Sequence, residues 1–197
     1  MKVLSNNFAK FLILITFLQS FLSSECVMPI KKDWDYRFIS TELINDTPDA
    51  TQAFVELSRI SRGKYGLSGN VTLFTGTFGE NGFIEMSMYR SVRNDGDFLK
   101  LPYEIQKESF FKFMNDHYKT ILMDSLKDCS NMPIVEGVYA TDWKAGESLT
   151  FTNCVFQDNK DTPAHFQPGF YKIIGRVFRP DDIQMTLTVV AEVFTVH

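Results

Sequence analysis

The sequence predicts a mainly β fold, an antiparallel β-sandwich or β-cup with one amphipathic helix inserted, preceded by a cleaved signal peptide. Three observations predict it. Apolar and polar residues alternate with period two through most of the chain beyond residue 33, the period switches once to that of a helix, and a short apolar run follows a basic start.

The start comes first. Lys2 and Lys10 supply a positive leader, residues 11–22 (FLILITFLQSFL) are apolar, and small residues follow at Ser23, Ser24 and Cys26. The run is about 12 residues, short of the roughly 20 that span a bilayer as a helix. Cysteine parity places the cut. The chain has 3 Cys, and removing residues 1–26 by cleavage before Val27 leaves Cys129 and Cys154 to pair, whereas cleavage after Ser24 strands Cys26. Residues 27–197 then form one extracellular domain.

Strands follow in order. Trp34, Tyr36 and Phe38 alternate with Asp35 and Arg37; Ala53, Val55 and Leu57 alternate with Glu56 and Ser58. Arg62-Gly63 marks a turn, leading to a strand through Tyr65, Leu67, Val71 and Leu73. After Glu80-Asn81-Gly82, Ile84, Met86 and Met88 share one face of a fourth strand. From 108 to 129 the apolar residues 110, 111, 114, 118, 121, 122 and 126 fall on one helical face, and Pro133 lies beyond the helix end. Three further strands are centred on Leu149, Phe151 and Val155, on Tyr171, Ile173 and Val177, and on Met185, Leu187, Val189, Ala191 and Val193. That makes seven or so strands around one helix.

Chemistry is sparse. The chain carries 20 Lys+Arg against 24 Asp+Glu, a net charge of −4, and has no basic cluster for nucleic acid or anionic lipid. Its 3 His are scattered, with neither HExxH nor GxSxG spacing, so no nucleophile–base set or cofactor motif is legible. The Asp181-Asp182 pair reads as turn residues beside Pro180. In an oxidising compartment Cys129 and Cys154 form a disulfide, closing a loop of about 26 residues. Asn45-Asp46-Thr47, in a turn, and Asn70-Val71-Thr72, in a strand, are glycosylation triplets; Asn45 is the better placed, and Asn70 needs an outward position. The 19 Phe require a large aromatic interior, packed or hollow. For a hollow one the expected wall is Met86, Met88, Tyr171, Ile173, Leu187 and Val189, covered from the helix by Phe111, Met114, Tyr118 and Ile121.

Several stretches together resemble the insect chemosensory B (CheB) family, relatives of the ganglioside activator type of lipid-binding β-cup proteins. They are Trp34-Asp35-Tyr36-Arg37-Phe38, Gly63-Lys64-Tyr65-Gly66-Leu67-Ser68, Tyr89-Arg90-Ser91, Leu101-Pro102-Tyr103, the helix ending in Cys129-Ser130-Asn131-Met132-Pro133, Phe151-Thr152-Asn153-Cys154 and Pro168-Gly169-Phe170-Tyr171-Lys172-Ile173-Ile174. The resemblance implies a non-catalytic β-cup with an apolar pocket, acting in insect taste or pheromone detection. The implied partners are a hydrophobic small molecule or lipid and a membrane receptor or channel of sensory neurons. One disulfide, where ganglioside activators carry several, leaves their lipid-lifting loops and glycosidase activation outside the implication. The rival expectation is an extracellular interaction module with a solid core, and the remote one a hydrolase.

Overall fold

A computed structural model describes residues 32–157, 165–180 and 182–196. The signal peptide expected over 1–26 lies outside them. Among the described residues, ten strands form three antiparallel sheets, joined by one helix. A five-stranded sheet has the order β1 (Trp34–Asn45), β10 (Asp182–Thr195), β9 (Gly169–Arg179), β5 (Phe83–Ser91) and β6 (Leu99–Ser109). A three-stranded sheet has the order β2 (Thr51–Ser61), β3 (Lys64–Leu73), β8 (Ser148–Cys154), and β4 (Thr77–Phe78) pairs with β7 (Trp143–Lys144). No helix here is long and apolar enough to cross a membrane.

Register turns the alternation into faces. Opposed residues of an antiparallel ladder project to one side. Leu43, Leu187, Gly175, Met86 and Ile105 form one row across the large sheet, and Thr41, Val189, Ile173 and Met88 form the next. Every strand in the expected wall therefore presents the expected face. The sequence reading missed three strands. β4 and β7 have two residues each, below what periodicity detects. β6 does alternate through Leu99, Leu101, Tyr103 and Ile105, but Pro102 masks it; β6 is an edge strand, where a missing backbone N–H costs no ladder bond.

The helix, α1 (110–126), starts directly from β6. Ser109 caps it by accepting the Lys112 N–H at 3.3 Å, and the Phe110 N–H reaches back to the Gly82 carbonyl at 2.8 Å. Its middle, Met114–Leu122, is π-helical, and the Met123 N–H donates to the Tyr118 carbonyl five residues back. Just beyond its end Cys129 bonds Cys154 of β8, with Cα atoms 5.4 Å apart. Asn131 then continues along β8: its N–H meets the Thr150 carbonyl at 3.1 Å and its amide oxygen the Thr150 N–H at 2.7 Å. Both attachments leave α1 facing a core of Leu73, Phe78, Phe110, Phe113, Met114, Tyr118 and Val135.

The disulfide carries a stability prediction. Cys129→Ser or Cys154→Ser should lower unfolding free energy by about 2–5 kcal/mol in a denaturant titration. A change within about 0.5 kcal/mol would mean that the Asn131–Thr150 pairing alone fixes this junction.

Candidate functional site

Between α1, the inner face of β3 and β8 and one end of the large sheet lies a cavity of about 570 Å³. Its floor is the row Ile84, Val177 and Met185, one step beyond the expected Met86 row. Phe110, Phe113 and Met114 of α1 cover it, Leu73 and Leu149 close the small-sheet side, and Met132, Tyr139 and Trp143 come from the segment between α1 and β8. This lining is mostly apolar and aromatic, the composition that holds hydrophobic ligands.

The segment at 131–143 has little regular structure and is held in place by α1. Asn115 donates from its amide to the Tyr139 carbonyl at 2.9 Å and accepts the Tyr139 N–H at 2.7 Å. The Tyr118 hydroxyl donates to the Pro133 carbonyl at 2.9 Å, and the Lys119 ammonium to the Glu136 and Gly137 carbonyls at 3.1 and 3.0 Å. Glycine permits the other close approach: a Cβ on Gly79 would lie 1.7 Å from Asp142 Oδ1. Burial pushes the Tyr118 phenol up to about 12. It also raises Tyr139 and lowers Arg179, whose guanidinium lies 5.9 Å from the centre of the Phe78 ring.

Of the ten residues expected to line a pocket, Met114 lines this cavity. Tyr118 is fully buried beneath it, and Phe111 and Met86 pack against the flank of the same core. Met88, Ile173 and Leu187 are half-buried further along the inner face, where Tyr171 and Val189 are buried. Ile121 is a correction: it is 50% exposed and covers nothing. The expectation assumed about 100° per residue, but the π-helical turns wind more slowly, so seven residues beyond Met114 the side chain lags by about a third of a turn.

Sequence reasoning also missed Gln184, which lines the cavity and is buried. Strict alternation from Met185 would turn it outward. A bulge between Ile183 and Met185 breaks the register and turns it in. The glycosylation triplets exchange rank. Asn45 is not in a turn but ends β1 opposite Met185, on the inner face, with its amide oxygen buried. Asn70 is exposed on the outer face of β3, opposite Phe54.

His117 Nε2 lies 3.2 Å from Glu108, and exposed His165 lies 2.7 Å from Asp33. Neither His is among the residues lining the cavity. A second concavity, of about 640 Å³, is a polar dish in the β5–β6 hairpin among Arg93, Asp95 and Asp97. No protein-family model matches the chain, and no curated protein matches it.

Two outcomes follow from these positions. Tyr118 keeps its proton to about pH 12 when folded but only to about 10 when unfolded, so its contribution to stability is complete below pH 10 and is lost as pH rises towards 12. Ultraviolet titration of wild type and Tyr118→Phe should differ by one phenol ionising near 12; a difference near 10 would place Tyr118 in solvent. In protein from a secreting host, Asn70→Gln should remove one glycan by intact mass while Asn45→Gln leaves the mass of glycan unchanged. The opposite pattern would contradict the inward position of Asn45.

Proposed function

We propose that the protein is a secreted, non-enzymatic binding protein that holds a hydrophobic ligand in the cavity beneath α1. The observation that carries this reading is the hollow itself. The space is large enough for a small ligand, opens to solvent, and is walled mostly by apolar and aromatic side chains. A fold with no use for such a space would be expected to fill it with side chains. Inner-face residues such as Val55, Leu57, Met88 and Leu187 are half-buried rather than sealed, which also supports a cup over a solid sandwich.

The disulfide supports an oxidising compartment, and the leader-like start at residues 1–26 supports export. The resemblance to the insect chemosensory B family extends the reading to taste or pheromone perception, with lipids or cuticular hydrocarbon-like cues as ligands and a sensory receptor or channel as the destination. A second reading, an interaction module acting on such a receptor by its surface, draws on Leu99 and Tyr103. These are 77% and 67% exposed on the edge strand β6.

Titration of the secreted protein with N-phenyl-1-naphthylamine separates the two. The binding protein gives saturable one-to-one fluorescence enhancement. Met185→Ala should weaken it several-fold at a stability cost below about 2 kcal/mol, because that side chain borders open space. Phe38→Ala, buried away from the cavity lining, should cost about 3–5 kcal/mol and leave dye binding unchanged. Monodisperse protein that binds no dye would favour the interaction module.

A further inference from the structure

The cavity is apolar but not uniformly so, and its polar groups are placed together. Gln184 and Thr51 both line it, each only 5% exposed. The segment between β1 and β2 brings them side by side. Asp46 and Thr47 donate their N–H groups to the Gln184 carbonyl at 3.0 and 3.3 Å, and the Thr51 N–H reaches the Thr47 carbonyl at 3.1 Å. The Thr47 hydroxyl donates to Gln184 Oε1 at 2.8 Å, while Gln184 Nε2 makes one long bond, 3.3 Å, to the Asp182 carbonyl. An amide nitrogen carries two N–H donors, so one remains for the cavity. The Thr51 hydroxyl bonds no described residue, and the buried amide oxygen of Asn45, opposite Met185 of the floor row, has no partner among the described residues. Of these only the Asn45 oxygen is a buried atom with no partner, while the Gln184 and Thr51 side chains, which line the cavity, retain hydrogen-bonding capacity for a ligand.

All three groups are uncharged, and the lining as a whole carries the acids Asp142 and Glu147 with no Lys, Arg or His. Arg179 is not among the lining residues; its Nη1 donates to the Thr75 carbonyl at 2.7 Å, and its buried Nε and Nη2, which lack partners, lie behind the lining residue Phe78. A carboxylate or phosphate carried into this space would be stripped of water with no cation to meet it, an expensive transfer. A bare hydrocarbon would leave the Gln184 and Thr51 donors unsatisfied.

We infer that the cavity selects a neutral, oxygen-bearing amphiphile, such as a long-chain alcohol, ester or ketone. Its oxygen is held by Gln184 Nε2 and the Thr51 hydroxyl, and its chain lies along Phe110, Phe113 and Met114. This selectivity rests on the cavity being a ligand site, as proposed above, and deepens it.

The test uses the secreted protein loaded with N-phenyl-1-naphthylamine and challenged at neutral pH with 1-dodecanol, dodecyl acetate, n-dodecane, dodecanoate and dodecylamine. The alcohol and the ester should displace the dye at about five- to tenfold lower concentration than the alkane, as one or two hydrogen bonds allow, and the anion dodecanoate should be weakest. Thr51→Val keeps the shape and removes a hydroxyl without a protein partner, so it should fold and should narrow the alcohol–alkane gap. Gln184→Leu should narrow it further. Dye displaced equally well by alkane and alcohol, or better by dodecanoate or dodecylamine, overturns the selectivity while the cavity reading stands. Failure of the dye to bind monodisperse protein overturns the cavity reading itself.

Discussion

Attachment of α1 to both sheets is the constraint on which the interior depends. It leaves β6 of the large sheet with its first N–H still bonded to Gly82, and just past its end Cys129 is covalently joined to β8 of the small one. Seventeen residues at ~1.5 Å each make a strut of about 25 Å, somewhat less through the π-helical stretch. A strut fixed at both ends cannot be withdrawn to let the sheets close on each other. The usual sandwich, with inner faces interdigitated about 10 Å apart, is therefore not reached at this end. Phe110, Phe113 and Met114 fill some of the gap, and the cavity is what they leave.

The π-helical middle of α1 has a packing consequence. Slower winding keeps Met114, Tyr118 and Leu122 turned towards the core at spacings of four, while Asn115 and Lys119, also four apart, meet the following segment. An α-helix would hold both sets as well and would bring Ile121 in beside them, whereas the slower winding turns Ile121 out. The segment at 131–143 has almost no ladder of its own, so these side-chain bonds to its carbonyls supply what a sheet edge would otherwise give. That places Tyr139 and Trp143 beside the cavity without a strand beneath most of the segment.

Period two and composition were enough to read the large sheet's inner face from sequence, because Met86, Ile173 and Leu187 each sit in an unbroken run of alternation. The junction with Cys154 was legible for a different reason: compartment and parity leave few options for two cysteines. What was hidden has local causes. Ile121 depends on the pitch of a helix whose residues are compatible with either winding. Gln184 depends on a bulge, and the turn-forming pattern of Asn45 does not reveal that β1 continues to include it. The row that floors the cavity, Ile84, Val177 and Met185, was present in the same alternating faces. Sequence could not say which row would lie open, since that follows from where α1 crosses, a long-range fact.

The bulge in β10 also links the fold to the chemistry of the site. Without it Gln184 would donate to the β9 ladder and face outward, and β1 would leave the sheet with nothing to receive the N–H groups of Asp46 and Thr47. With it, the Gln184 carbonyl turns the chain from β1 towards β2, and its side chain enters an otherwise apolar wall. A leucine there would bury more apolar surface but would leave the Thr47 hydroxyl without its acceptor, Gln184 Oε1. The amide therefore serves the turn through its oxygen, while its nitrogen, with one long bond to the Asp182 carbonyl, is the group on which the proposed selectivity draws.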